Sequence, residues 1–287
     1  MENKPYLQLE ALLPTEIATK AEEAGVRKAE LDITRTFVLA ILAGAFIGLG
    51  AAFSTTVAAG VPSASPYGWG RLLAGLAFSL GLILVILGGA ELFTGNNLLV
   101  MAWANGKLPT SKLLRNWSIV YAGNFVGAVA TAVFVYAGTQ YMFGGGTVGA
   151  TALAIASSKC KLDFVQAFAL GILCNALVCL AVWISYSGRT SADKILAIVP
   201  PITAFVAIGF EHSIANMYFI PLGLLIKAYA PADFWESIGQ TPDAFSDLTL
   251  NGFLVTNLIP VTLGNIVGGA LLVGIVYWFV YLRKSRS

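Results

Sequence analysis

Chemistry is scarce in this sequence and concentrates in one stretch. The segment Ile208–Phe219, IGFEHSIANMYF, places Glu211 beside His212, the single histidine of the chain, inside a long apolar run. Burying such a pair uncompensated costs several kcal/mol or forces a change of protonation. A satisfied core histidine would be mute. An ionisable group at membrane depth, next to Ser213, instead marks a functional site that can give or take a hydrogen bond or a proton. No second histidine and no cysteine cluster accompanies it, so neither a metal ligand set nor a haem site is expected.

The same pattern occurs once more. GAELFTGN and GFEHSIAN both read Gly-x-Glu-x4-Asn, giving Gly89, Glu91 and Asn96 against Gly209, Glu211 and Asn216. NWSIVYAGNFVG and NLIPVTLGNIVG both read Asn-x6-Gly-Asn-x-Val-Gly, giving Asn116, Gly123, Asn124 and Gly127 against Asn257, Gly264, Asn265 and Gly268. A weaker match pairs Phe37-Val38 and Gly44 with Phe164-Val165 and Gly171. Two pairs of motifs in the same order make an internal repeat. The glycines at four-residue spacing are read as close helix contacts.

The elements that must hold these residues are membrane spans. Hydrophobic residues make up 57% of the chain and charged ones 11%, with mean hydropathy +0.78; soluble domains carry about a quarter charged residues. A span needs about 20 apolar residues. Six are expected, at 36–60, 70–104, 115–138, 164–186, 194–226 and 252–282. The second and fifth are too long for a simple span and hold Glu91 and Glu211 near their middles, so both should be broken. Three spans per repeat force the second copy to insert upside down, an arrangement typical of transporters.

Thr94 and Asn96 in one break, and Ser213 in the other, are expected N-caps, with half-helix N-termini favouring an anion at the centre. Glu91 and Glu211 are expected to hold loop N–H groups or asparagines, since a carboxylate facing an anion route would repel it.

Charge sets the expected orientation. The side holding the N-terminal segment 1–35, two loops and the C-terminal tail 283–287 has thirteen of the 17 Lys and Arg residues; Arg71, Lys159, Lys161 and Lys227 fall on the other. Both termini are therefore expected in the cytoplasm, with 36–282 forming the membrane unit. PTEIATKAEEAGVRKAELDITRTF reads either as a helix on the membrane surface or as a solvated lead-in. Cys160 and Lys159 fall in an expected loop, and a net charge of +2 gives no reason to expect nucleic acid.

GGAELFTGN, GFEHSIANM and NLIPVTLGNIVGG, with LVCLAVWISYSGR in the fourth span, resemble signature segments of the formate/nitrite transporter family from about Leu13 to Leu282. That resemblance implies an all-α, aquaporin-like protomer with six spans in two inverted repeats, assembled as a homopentamer in the bacterial inner membrane among lipids, without cofactor. It implies a pore centred on His212 with Thr94 as its hydrogen-bonding partner. Phe78 and Phe205 would form the periplasmic constriction, and Leu82, Leu92 and Phe93 the cytoplasmic one. Lys159 and Asn175 would line the periplasmic approach, with Glu211 and Asn216 beside the pore. Gly95-Asn96-Asn97 departs from the hydroxyl residues of the family's formate channels, which leaves nitrite and hydrosulfide open beside formate.

The expected function is movement of a small anion, formate first, with His212 giving it a hydrogen bond or a proton. A passive anion pore in which His212 only holds Thr94 is the plainer alternative. A glycerol pore is disfavoured because no Asn-Pro-Ala repeat occurs at the breaks, and a redox anchor because ligands for haem, metal or flavin are missing.

Overall fold

The computed structural model describes residues 10–59, 61 and 65–283; Lys4, Lys284, Arg286 and the other tail residues after Arg283 lie outside them. Every regular element among the described residues is helical. In chain order these are α1 (Pro14–Glu30), α2 (Ile33–Ala59), α3 (Tyr67–Gly88), α4 (93–104), α5 (Thr110–Ala137), α6 (Thr147–Cys160), α7 (Phe164–Ser187), α8 (Ser191–Ile208), α9 (Ser213–Tyr229), α10 (Ala232–Ile238) and α11 (Gly252–Tyr281). Six of them, α2, α3, α5, α7, α8 and α11, are long and apolar enough to cross a membrane.

Both expected breaks are present. The second span ends at Gly88 and restarts at residue 93; the fifth ends at Ile208 and restarts at Ser213. Gly89 and Gly209 stop their helices with φ of 75° and 89°, a left-handed conformation that a side chain strains. The two repeats then pack alike: α2 lies along α5, and α7 along α11. A methyl group at Gly127 would overlap the carbonyl of Ile41, and one at Gly268 that of Ile172. These glycines therefore serve close backbone packing.

Two expectations are corrected. Lys159 and Cys160 are not in a loop; they close α6, and Cys160 is buried. At 14 residues α6 is too short to span, so hydropathy could not reveal it. It packs along α9, where Gly223 admits Ala156. The second concerns α1, whose apolar face does not lie on lipid. Ile17, Ala18 and Ala21 pack against Leu98, Met101 and Trp183. Lys20 Nζ donates to the Tyr186 carbonyl at 2.8 Å, and Arg115 donates to the Ala29 and Leu31 carbonyls.

With six spans, α1 and the end of α11 share one face, called here the terminal face; α6 and α10 lie on the far face. Helices α1 and α6 occupy matching places, each just before the first span of its repeat.

Candidate functional site

The two breaks are built by the same residues. Glu91 N–H donates to the Leu39 carbonyl (3.2 Å), and Glu211 N–H to that of Leu170 (3.3 Å). Asn124 Nδ2 donates to the Ala40 and Glu91 carbonyls at 2.7 and 2.9 Å, while its Oδ1 accepts from Phe93 N–H at 2.9 Å. Asn265 repeats this with the Gly171 and Glu211 carbonyls at 2.8 and 3.0 Å and with Ser213 N–H at 2.9 Å. Backbone freed by a broken helix must find partners inside the protein. Here the asparagine of the repeated Gly-Asn pair supplies them.

This corrects the expected caps. Leu92 and His212 occupy the N-cap positions, not Thr94, Asn96 or Ser213. The first helical N–H groups are met from another span, so the half-helices need no hydroxyl cap of their own. Ser213 Oγ is buried without a partner.

Each glutamate sits in a polar knot. Glu91 Oε2 accepts from Asn96 Nδ2 at 2.7 Å, and the same amide reaches Asn116 Oδ1 at 3.0 Å. Glu211 Oε2 accepts from Asn216 Nδ2 at 2.7 Å and Asn257 Nδ2 at 3.2 Å, and Asn216 Nδ2 also reaches Asn257 Oδ1 at 2.7 Å. The expectation that both glutamates bind asparagines describes this geometry. A lysine completes each knot: Lys28 Nζ lies 2.9 Å from Glu91 Oε1, and Lys159 Nζ lies 2.8 Å from Glu211 Oε1. Lys28 is not distinguished by any motif in the sequence. The available signal was position, because Lys28 precedes α2, and Lys159 precedes α7, by the same five residues.

Between the knots the repeats diverge. Where one break has Leu92, the other has His212, buried at 2% exposure. Its Nδ1 accepts from Ala215 N–H at 3.1 Å and its Nε2 lies 3.1 Å from Thr94 Oγ1. An Nδ1 that accepts leaves the hydrogen of a neutral imidazole on Nε2. The site therefore presents one N–H donor toward Thr94, held in place by the backbone of α9.

Two cavities flank this contact. The far one, about 490 Å³, is lined by Phe78, Phe205, His212, Lys159, Glu211 and Asn216 among others. Phe78 and Phe205 meet edge to face at 5.5 Å, and the His212 ring lies over Phe205 at 5.8 Å. The terminal-face cavity, about 260 Å³, is lined by Leu82, Leu92, Gly95, Lys28 and Glu91 and is roofed by α1. Three of the expected residues line neither: Thr94, which meets His212 between them, Phe93 and Asn175. The Phe93 ring packs on Tyr121 and Trp117. Asn175, fully buried, donates to the Thr94 and Asn265 carbonyls and so braces the Thr94 loop from behind.

Comparison with known proteins agrees with this architecture. The family profile described as formate/nitrite transporter matches residues 15–279. The chain is 47% identical to the formate channel FocA of Escherichia coli strain K12 over 274 residues, covering 96% of each chain. It is 45% identical to formate channel FocA of Haemophilus influenzae, again with 96% of each chain covered. It superposes on a solved pentameric formate channel with formate bound with a TM-score of 0.83 and 47% identity, covering 88% of this chain and 98% of that one.

Proposed function

The chain belongs to the formate/nitrite transporter family, and from that premise we propose that it carries formate across the bacterial inner membrane, as a homopentamer with both termini in the cytoplasm. It is a transporter and not an enzyme. The observation that carries this reading is the His212–Thr94 contact at 3.1 Å, set between two cavities whose inner walls are Phe78 and Phe205 on one side and Leu82 and Leu92 on the other. The relatives described above are named formate channels, which favours formate over nitrite or hydrosulfide.

The chemistry follows from cost. A bare carboxylate in a dry constriction is penalised far beyond what a transporter can tolerate, whereas the neutral acid is not. His212 offers Nε2–H to a carboxylate oxygen that displaces Thr94 Oγ1, and Ala215 N–H keeps the ring in that tautomer. A neutral imidazole gives a hydrogen bond readily but cannot release that hydrogen as an acid without becoming an anion. Of the two roles expected for His212, the hydrogen bond is thus the one this geometry supports, and the proton travels in from solvent with the anion. Lys28 and Lys159, each next to its glutamate, present ammonium groups to the two cavities, while Glu211, itself held by Asn216, fixes Lys159 and Asn175 braces the Thr94 backbone.

The test is formate, nitrite and glycerol entry into proteoliposomes, followed by light scattering from neutral to acidic pH. Formate should lead and glycerol should be excluded. Well above formic acid's own pKa the neutral fraction falls about tenfold per pH unit, so entry should quicken on acidification. His212→Asn should lower the rate at every pH and leave the acid dependence that the neutral fraction sets; a variant with the wild-type rate would refute the role given to His212.

A further inference from the structure

Three charged side chains line the far cavity: Arg71, Lys159 and Glu211. Two of them neutralise each other, since Lys159 Nζ lies 2.8 Å from Glu211 Oε1 and only 13% of the lysine side chain is exposed. Arg71 has no such match. Its Nε donates to the Ala207 carbonyl at 2.6 Å, and one Nη donates to Tyr67 Oη at 2.8 Å, with the guanidinium 5.2 Å from the centre of the Tyr67 ring. Its other Nη lies against Gly209, where a Cβ would collide with it. Among the described residues no carboxylate comes within ion-pair distance of Arg71. A guanidinium has five N–H donors in a fixed fork. Two are used here, and three are left at a cavity wall, on a side chain already immobilised at both Nε and Nη1.

We propose that Arg71 is the docking residue for small planar monoanions, carboxylates first, at the mouth of the far cavity. This rests on the transport reading above. The uncompensated charge draws the anion into the cavity, and the preorganised fork receives its two oxygens before it moves on toward Lys159 and His212. The alternative use of Arg71 is purely structural: the Ala207 carbonyl lies at the C-terminal end of α8, where a cation caps the helix. The two roles separate by salt and by KM.

The experiment is the initial rate of formate uptake by the full chain in proteoliposomes, as a function of formate concentration, at about 10 and 200 mM salt. One charge at about 10 Å in a largely aqueous vestibule is worth roughly a two- to fourfold change in local anion concentration. Arg71→Gln loses charge and fork together, so it should fall about two- to fourfold below Arg71→Lys in rate at low salt and sub-saturating formate, converge on Arg71→Lys at high salt, and keep its maximal rate. Arg71→Lys keeps a point charge without the fork, so it should retain the wild-type salt dependence with a raised KM. Size-exclusion chromatography checks assembly of both. A wild-type salt slope in Arg71→Gln overturns the assignment, as does an unchanged KM in Arg71→Lys. An equal loss in both variants at every salt concentration reduces Arg71 to a helix cap. Absence of formate entry with the wild-type protein would overturn the transport reading itself, whereas the other failures strike Arg71 alone.

Discussion

Replacing Asn124 or Asn265 by alanine tests whether the repeat encodes the two breaks. Each side chain makes three bonds of 2.7 to 3.0 Å from a fully buried position. In Asn265→Ala two of the groups left behind, Ser213 N–H and the Glu211 carbonyl, belong to the break and have no helical partner. In Asn124→Ala the corresponding groups are Phe93 N–H and the Glu91 carbonyl. An orphaned buried group costs about 1–3 kcal/mol, and measured values inside membranes run lower, up to about 1.7. Two such groups give a loss of about 2–4 kcal/mol per variant. The assay is thermal denaturation of detergent-solubilised protein, read as the fraction of folded oligomer in size-exclusion chromatography after heating. The bond sets are equivalent, so the two variants should be destabilised alike. Flux should respond differently, because only Asn265→Ala loosens the first N–H of α9, next to His212. A loss below about 1 kcal/mol in either variant, or a loss confined to one of them, would refute the idea that both breaks depend on one repeated brace.

Two further predictions concern the polar knots and the anion preference. Lys159→Met should destabilise the protein by about 3–5 kcal/mol, because it leaves Glu211 buried without its cation, and Lys159→Met combined with Glu211→Gln should recover part of that loss in the same thermal assay. Gly95→Ser should keep formate uptake within about twofold of wild type: a Cβ there would meet only the Val182 Cγ2 methyl, at 3.5 Å, an ordinary contact. A collapse of uptake in Gly95→Ser would make the glycine a determinant of the route.

Much of the architecture was legible in the sequence because it rests on long apolar segments and on a repeated set of polar residues in an apolar setting. Both broken spans, Glu91 and Glu211 against their asparagines, and the tight glycine contacts follow from such patterns. What escaped lies where neither signal operates. Helix α6 is too short for hydropathy, so Cys160 reads as a loop residue although it ends a helix. Helix α1 has an amphipathic pattern that a lipid surface and a protein surface satisfy equally, and only tertiary contacts decide between them. The caps follow a related rule. Local rules place Ser, Thr or Asn at N-cap, but at these breaks the first N–H bonds a side chain from another span. Asn175 shows the limit of the resemblance: matching motif position implies a pore lining, while its bonds to the Thr94 and Asn265 carbonyls put it behind the loop.

The arrangement also explains why one histidine suffices. Folding two broken helices in a membrane imposes the same demand on both repeats, and both answer it with the same glutamate, asparagines and lysine. Function imposes a different demand, since a route through two apolar constrictions needs one donor at its centre and gains nothing from a second, which would deepen a binding well. The N-cap is one of the positions that differ, and it can do so because the asparagine from the neighbouring span has already taken over part of the capping. Leu92 there closes the terminal-face side with hydrocarbon. His212 uses Nδ1 for the local cap and turns Nε2 toward Thr94 on the opposite repeat. A serine at residue 212 could cap the helix but would lack a second, oppositely directed polar atom. Imidazole has both, which is why the chemistry sits at Glu211-His212 and the scaffold everywhere else.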